Sequence, residues 1–252
     1  MQPPRKHPPP LVPQNQLLRC LPRDELARLW PRFERVVLKP RRVLHYEDTA
    51  MEYAYFIEEG LVSVLAHTGP GKSVEVWLIG REGFVGVPLV LGEPISSHRR
   101  IVQIAGSALR IRADHFHDAV EPAGPLRQLL LRYVQTVLMQ ASQMGGCNAH
   151  HSVTQRLARW LLLAQDHCAT DTMRLTHEML SRMLGVRRAT VTQCIAAFEQ
   201  QGILDGGRSV IRIKQRRRLE TIACPCYGIM RIADMRLKRT VGGPRPEQPH
   251  PG

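Results

Sequence analysis

The chain has 252 residues, a formal net charge of +13 and 43% hydrophobic residues. This length and composition favour about two globular domains with packed cores. No apolar run approaches the roughly 18 residues of a membrane span, and the basic, proline-rich start lacks the apolar core of a secretory signal. We therefore expect a cytoplasmic protein, and the six scattered cysteines suit a reducing compartment.

The first half of the chain predicts an antiparallel β-roll. A proline-rich tail at 1–13, expected to be disordered like its counterpart at 240–252, precedes a short helix over 21–30. Seven strands of β-branched and aromatic residues are predicted at 33–38, 43–46, 53–58, 61–66, 73–79, 101–105 and 108–111. Their number and spacing favour a barrel or roll that occupies 14–121.

A long helix is predicted next at about 125–144, within a segment at 122–147, and Gly145 and Gly146 are expected to end the helix. Apolar residues follow one another along it at steps of three and four if Gln140 fills one gap, a spacing typical of a helix that pairs with a second copy. The seam consists of Leu126, Leu130, Tyr133, Val137 and Met144. The alternative is an ordinary amphipathic helix packed on the roll.

The last domain is predicted over 148–239 and begins with a capping box formed by Ser152 and Gln155. Further on, 175–204 predicts two short helices joined by a glycine turn, the pattern of a helix-turn-helix. Thr176 can cap the first helix, and Gly185 tolerates the left-handed turn. The second helix has a face free to meet base edges in a DNA major groove. This face carries Arg188, Ala189, Thr192 and Gln193.

A β-hairpin is predicted where a wing would sit, with its turn at Asp205, Gly206 and Gly207. The formal charge is balanced between residues 14 and 121, whereas 152–239 carries a net charge of +9. Binding to the phosphate backbone requires positive charge at the interface. The second half of the chain is therefore predicted to be a winged helix-turn-helix that binds double-stranded DNA.

Taken in order, these segments resemble the Crp-Fnr transcription regulators over about 17–227. The resemblance rests on YAYFIEEGLVSV, GREGFVG, RLARWLLLAQD and LTHEMLSRMLGVRRATVTQCIAAFEQQGIL. It implies an α+β fold with an N-terminal antiparallel β-roll like that of cyclic-nucleotide-binding domains, a long dimerisation helix and a C-terminal winged helix-turn-helix. It also implies a bacterial homodimer that reads a pseudo-palindromic operator, works with RNA polymerase and lies on the nucleoid when bound to DNA.

The same resemblance assigns roles on the second helix of the motif. Arg188 matches the position that commonly pairs with guanine. Gln193 stands where the family often has arginine, and Ala189 stands where many members have glutamate, so a different operator is implied. Residues expected to contact phosphate or sugar, or to complete the DNA-binding set, are Arg187, Thr190, Thr192, Thr176 and Arg208.

The resemblance also places an effector pocket in the roll, at Gly86, Arg99 and Arg100. Cyclic-nucleotide members hold the ribose with a glutamate after a glycine, but here Val87 follows Gly86. The usual arginine followed by a small hydroxyl residue is also missing. Cyclic AMP binding is therefore not expected, the effector stays unknown, and an anion held by Arg99 or Arg100 is the remaining hypothesis.

Two alternatives stay open: a DNA-binding protein that acts without any effector, and a redox- or metal-responsive regulator that uses Cys224 and Cys226. An iron-sulfur cluster is disfavoured because the N-terminal region contains only Cys20. The histidine pairs at 115/117 and 150/151 have no evident cysteine or carboxylate partner, so no metal site is predicted. We do not expect an enzyme, because motifs such as a phosphate-binding loop or a nucleophile elbow are missing.

Overall fold

The computed structural model describes residues 12–168, 171–207 and 209–241, with side chains up to residue 237. Most of the two predicted disordered tails therefore lies outside the described residues. Among the described helices, none combines the length and the apolar character needed to cross a membrane.

The predicted antiparallel roll is confirmed. Helix α1 (Arg23–Leu29) leads into strands β1 (Glu34–Leu38), β2 (Val43–His45), β3 (Thr49–Ala50), β4 (Tyr53–Gly69), β5 (Lys72–Ile79) and β6 (Phe84–Val85). Helix α2 (Val87–Val90), strands β7 (Ile95–Ser96) and β8 (Arg99–Arg112), and helix α3 (Ala113–Val120) complete the roll. The main sheet has the order β1-β8-β4-β5, with β2 added on β8 and β6 on β4, while β3 and β7 pair separately.

Four of the predicted short strands are in fact two long ones, because the breaks between them are bulges and not turns. Gly60 lies inside β4 with φ +88, and a Cβ there would come within 2.5 Å of the Ile104 carbonyl oxygen. Glycine is the residue that fits so close an approach at positive φ. Helix α3 was not predicted. His115 and His117 both lie on it, and because they are two residues apart on a helix, their side chains face different directions.

Helix α4 (Pro125–His150) runs through Gly145 and Gly146, so the prediction that these glycines end it is wrong. Only two residues then separate it from α5 (Val153–Cys168). The predicted capping box is confirmed. The Ser152 amide donates to Gln155 Oε1 at 3.0 Å, and the Gln155 amide donates to Ser152 Oγ at 3.3 Å.

The prediction that the seam on α4 faces a second copy of the chain is wrong. The seam residues Leu126, Leu130, Tyr133, Val137 and Met144 are all buried, and they join cores formed within this chain. An apolar stripe at steps of three and four shows that a helix face is covered, but not by what. Here the covering surface is the chain's own roll and C-terminal domain.

The C-terminal domain contains the predicted helix-turn-helix and wing. Its elements are β9 (Thr172–Met173), α6 (His177–Leu184), α7 (Arg188–Gln200), β10 (Leu204–Gly207), β11 (Val210–Ile213), α8 (Arg216–Ile222) and α9 (Cys226–Val241). The wing is a three-stranded sheet in the order β10-β11-β9. Asp205, Gly206 and Gly207 belong to β10 and not to the turn, since Gly207 pairs with Val210. Helix α9, which was not predicted, packs along α4.

Helix α5 joins the two domains. The side chain of Trp160 on this helix is fully buried, and its Nε1 donates to Glu75 Oε1 on β5 at 2.8 Å. The other carboxylate oxygen, Glu75 Oε2, accepts a hydrogen bond from Ser63 Oγ on β4 at 2.5 Å. Leu61, Leu65 and Leu78 of the roll share one apolar core with α5, α6 and α7. Trp160 therefore packs in the shared core and also carries a polar bond between the domains.

A second polar link lies at the end of α5. His167 Nδ1 is 2.6 Å from Glu82 Oε2, and both side chains are almost completely buried. Burial opposes the charge on each group, but the mutual attraction outweighs it, raising the pKa of His167 to about 9 and lowering the pKa of Glu82. Gly80 leaves room for this contact, because a Cβ there would lie 2.5 Å from the His167 Cβ.

We predict that Glu75→Gln removes an acid-side pH dependence of stability. Burial raises the pKa of Glu75 from 4.5 to about 7, although the hydrogen bonds from Ser63 and Trp160 act to lower this pKa. The folded protein therefore holds this proton more tightly than the unfolded chain does. The unfolding free energy should fall as the pH rises from about 4.5 to about 7, by at most about 1.4 kcal/mol per pH unit for one proton. Urea denaturation across this range measures the slope, which Glu75→Gln should flatten.

We predict that His167→Gln acts on the alkaline side instead. A histidine with a raised folded pKa contributes stability that is present below 6.5 and is lost as the pH rises through about 9. Urea midpoints of the wild type should fall across this window, and those of His167→Gln should change less. The two variants serve as controls for each other. If both variants lost the pH dependence of stability over the same pH range, Glu75 and His167 would not titrate separately.

Candidate nucleic-acid interface

The helix-turn-helix is built as its sequence predicts. Thr176 caps α6, accepting a hydrogen bond at Oγ1 from the Met179 amide at 3.1 Å. Gly185 ends α6 in the left-handed conformation at φ 64, which glycine adopts without a steric cost. The hydroxyl of Thr176 thus holds the motif together, and a contact of Thr176 with DNA stays a prediction.

Helix α7 turns its polar face away from the chain. Val191, Ile195 and Phe198 are buried, as their spacing predicts. Arg188 is the first residue of the helix, Arg187 is its N-cap residue, and both are exposed. Ala189, Thr192 and Gln193 are also exposed, and Thr190 is half-buried. Within the part of the chain that the structure describes, neither Arg187 nor Arg188 makes an ion pair, so both guanidinium groups are available to a ligand.

Thr192 has an internal partner that the sequence did not reveal. Its Oγ1 lies 2.9 Å from His177 Nδ1 on α6 and donates to the Arg188 carbonyl oxygen at 3.1 Å. The contact ties the exposed surfaces of the two helices. No periodicity in the sequence signals it, because the residues are fifteen positions apart on different helices.

The basic residues around the wing divide into two groups. Arg217, Lys214 and Arg212 are exposed, and Arg212 Nε donates to Thr172 Oγ1 at 3.1 Å across the wing. Arg216 instead turns inward, and its Nη2 lies 2.8 Å from Asp166 Oδ1. Three consecutive arginines, 216–218, follow the wing, and Arg218 Nη1 also bonds within the chain, donating to the Gln201 carbonyl oxygen at 3.0 Å. Arg208, which was predicted to contact DNA, lies outside the described residues.

The three residues of the predicted effector pocket are not brought into one site. Arg99 forms a bidentate pair with Glu47, at 2.8 and 2.5 Å, that lowers the pKa of Glu47 to about 2. A cavity of about 250 Å³ beside Arg99 is also lined by Lys72 and by Arg182 of α6, but not by Gly86 or Arg100.

Arg100 points to the inside of the roll. It is 2% exposed, and burial lowers its pKa to about 10. Its guanidinium donates to Ser96 Oγ at 2.6 Å and to the His98 carbonyl oxygen. Among the described residues, no carboxylate forms an ion pair with it. Gly86 (φ +154) instead lies against the Phe84 ring, which a Cβ would approach to 2.9 Å. Val87 after it is buried in the apolar core.

Four residues able to hold a metal ion meet where the end of α4 approaches the start of α9. Cys147 and His151, near the end of α4, approach Cys224 and Cys226, which flank the start of α9. No sequence pattern indicates this meeting, because the two pairs are more than seventy residues apart. His151 therefore has the cysteine neighbours that its sequence context did not show.

The chain matches two protein-family models. A cyclic nucleotide-binding domain matches residues 35–122, and a Crp-like helix-turn-helix domain matches residues 155–222. The structure is similar to that of FixK2 from Bradyrhizobium japonicum, with 19% identity, a TM-score of 0.64, and 76% of this chain and 98% of that chain covered.

A crp/fnr family protein from Eubacterium rectale gives a TM-score of 0.65 at 15% identity, covering 82% of this chain and 96% of that one. A CRP/FNR family transcriptional regulator from Thermus thermophilus gives 0.59 at 21% identity, covering 75% and 98%. The comparison with curated proteins finds no match.

The geometry and the comparisons lead to the same assignment. A roll of the cyclic-nucleotide-binding type precedes a winged helix-turn-helix with an exposed, basic second helix. The two family models together cover more than half of the chain. A DNA-binding role, and not an enzymatic one, follows from this architecture. The chain belongs to the Crp-Fnr superfamily of transcriptional regulators.

Proposed function

We propose that two copies of this chain form a homodimer that reads a pseudo-palindromic operator and acts on RNA polymerase in the bacterial cytoplasm and nucleoid. The observation that carries the proposal is the exposed N-terminal face of α7, with Arg187 and Arg188 unpaired among the described residues. Two such faces, related by a two-fold axis, would enter successive major grooves.

The surface proposed for pairing is the side of α4 opposite to the predicted seam. Leu131 and Leu138 are 45% and 58% exposed, although both are large apolar residues on a helix. Together with Gln135, Ser142 and Gly145 they follow one another at steps of four and three, as coiled-coil positions do. The small side chains at 142 and 145 allow two helix backbones to approach closely.

Helix α9 extends this apolar surface. Its residues Ile229, Ile232 and Met235 are 42%, 47% and 43% exposed. A groove of about 570 Å³ runs along the surface between the packed helices α4 and α9, and Met139 of α4 is among its lining residues. Large apolar residues concentrated on one surface mark an interaction site. A second copy of this chain is the occupant we propose, because the α4 row has the spacing of a self-pairing helix.

Within the operator, Arg188 is proposed to read guanine, since its planar fork matches the O6 and N7 acceptors. Gln193, one turn further along the exposed face, is proposed as the second reading residue. Ala189 offers only a methyl group, so it cannot accept a hydrogen bond from cytosine as a glutamate would. Arg187 and Thr190 are proposed to contact the phosphate backbone.

The effector proposed for the roll is an anion other than cyclic AMP. Arg100 is a buried cation without an ion-pair partner among the described residues, which favours an anionic ligand. Val87 is buried where a ribose-binding glutamate would be expected, and it has no acceptor to offer. In differential scanning calorimetry, cyclic AMP should leave the melting temperature unchanged. A stabilisation by cyclic AMP that Arg100→Met removes would overturn this assignment.

We predict that Leu138→Glu dissociates the dimer. A carboxylate buried against the partner helix would lose hydration without gaining a partner. We expect the dimer Kd to rise at least tenfold, or about 1.4 kcal/mol. Sedimentation equilibrium measures this change. Val37→Glu is the matched control, because Val37 is an apolar residue of the roll that is 67% exposed and lies far along the chain from α4. Equal dimer Kd values for both variants and the wild type would reject this surface.

We predict that Arg188→Ala weakens operator binding by about 1 to 3 kcal/mol and relaxes the preference at one base pair of each half-site. Selection from a random duplex pool first defines the operator, and titrations at fixed salt then compare all four bases at each position. Arg28→Ala removes the same charge from an exposed position on α1 and should change neither value. A uniform loss over all sequences would show that Arg188 contacts phosphate only.

A further inference from the structure

Four potential metal ligands lie together where α4, α5 and α9 meet. Cys147 and His151 are one helical turn apart at the end of α4, so their side chains lie on the same side. Cys224 and Cys226 come from the connection between α8 and α9 and from the start of α9. The three cysteines are 0–1% exposed and form a cluster separate from the large apolar cores.

The spacing of the ligand atoms fits one tetrahedral ion. Cys147 Sγ lies 3.5 Å from Cys224 Sγ, Cys226 Sγ lies 3.7 Å from His151 Nδ1, and all four ligand atoms are within 4.8 Å of one another. With metal–sulfur distances of about 2.3 Å, the ligands of a tetrahedral zinc ion are about 3.7 Å apart. An iron-sulfur cluster spreads its thiolates around several iron atoms, and these four ligands lie too close together for that.

The surroundings of the cluster include a cation that favours thiolates. The hydrogen bond between the two thiols, together with burial, raises the pKa of Cys147 to about 12, and the same hydrogen bond lowers the pKa of Cys224. Arg159 is 1% exposed, and its positive charge acts to lower the pKa of both thiols. Gln143 Nε2 donates to Cys226 Sγ at 3.1 Å, and such outer hydrogen bonds orient the ligands of metal sites.

We propose that Cys147, His151, Cys224 and Cys226 bind one zinc-class divalent cation per chain. Three thiolates and one imidazole are a ligand set of structural zinc sites, and soft sulfur donors select against magnesium and calcium. On binding, the three thiols release their protons to solvent and the complex carries one negative charge. The buried guanidinium of Arg159 offsets this charge.

The position of the ion gives it a mechanical consequence. The ion joins the end of α4 to the start of α9. The end of α4 is also the point from which only two residues lead to α5, the first helix of the DNA-binding domain. The bound ion thereby fixes the direction in which the chain leaves α4. It also holds α9 against α4, which the Gln140 Nε2 to Asp234 Oδ1 hydrogen bond of 2.8 Å assists. The metal site itself does not depend on the proposed dimer or operator.

The test is metal analysis of the full chain purified under reducing conditions. We expect one zinc ion per chain by inductively coupled plasma mass spectrometry. Replacement with cobalt should give the visible bands of a tetrahedral ion and thiolate charge-transfer absorption. Cys147→Ser and Cys226→Ser should lose the ion, whereas Cys168→Ser and Cys194→Ser, whose thiols lie outside the cluster, should retain it.

A further variant keeps the test decisive if the serine variants fail to fold. His151→Cys retains four ligands and replaces the imidazole by a fourth thiolate, so the cobalt charge-transfer absorption should rise by about a third, in proportion to the thiolate count. An unchanged cobalt spectrum in His151→Cys would overturn the assignment. Wild-type protein without bound metal, a Cys147–Cys224 disulfide in the reduced preparation, or bound iron with sulfide would also overturn it.

Discussion

The burial of helix α5 governs how the two halves of the chain are arranged. This helix is buried almost all round, since Arg156, Arg159 and His167 are buried together with Leu157 and the residues from Trp160 to Ala164. The roll covers one side, and α6, α7, α8 and α9 cover the others. The roll and the DNA-binding domain therefore share one core of packed side chains.

Buried polar groups make this shared core specific. Glu75 and Glu82 are carboxylates of the roll that enter the interface, and each has a partner on α5, Trp160 and His167. Burying such groups without partners costs several kcal/mol, so the docked arrangement is favoured over displaced ones that separate the pairs. Two glycines of the roll, in the segment GREGFVG, let α4 and α5 approach the roll closely. Gly80 faces His167, and Gly83 faces Tyr133.

Helix α4 serves two surfaces at once. Its strongly apolar stripe packs inside the chain, while a weaker row containing Leu131 and Leu138 remains exposed. In the proposed dimer, the same helix therefore connects the partner copy to the roll. Its last turn carries Cys147, and His151 follows it directly, where the proposed ion would bind α9 to this helix. The proposed dimer contact and the proposed metal site thus depend on the position of one helix.

Local signals in the sequence were enough to predict the strand alternation of the roll, the capping box at Ser152, the Thr176 cap, the Gly185 turn and the inward face of α7. The charge that favours DNA could also be read from the sequence. Which surface covers each apolar stripe emerged only in the folded chain, because periodicity specifies a face and not its neighbour. For this reason the α4 seam lies inside, Arg216 pairs with Asp166, and Cys147 meets Cys224 across the fold.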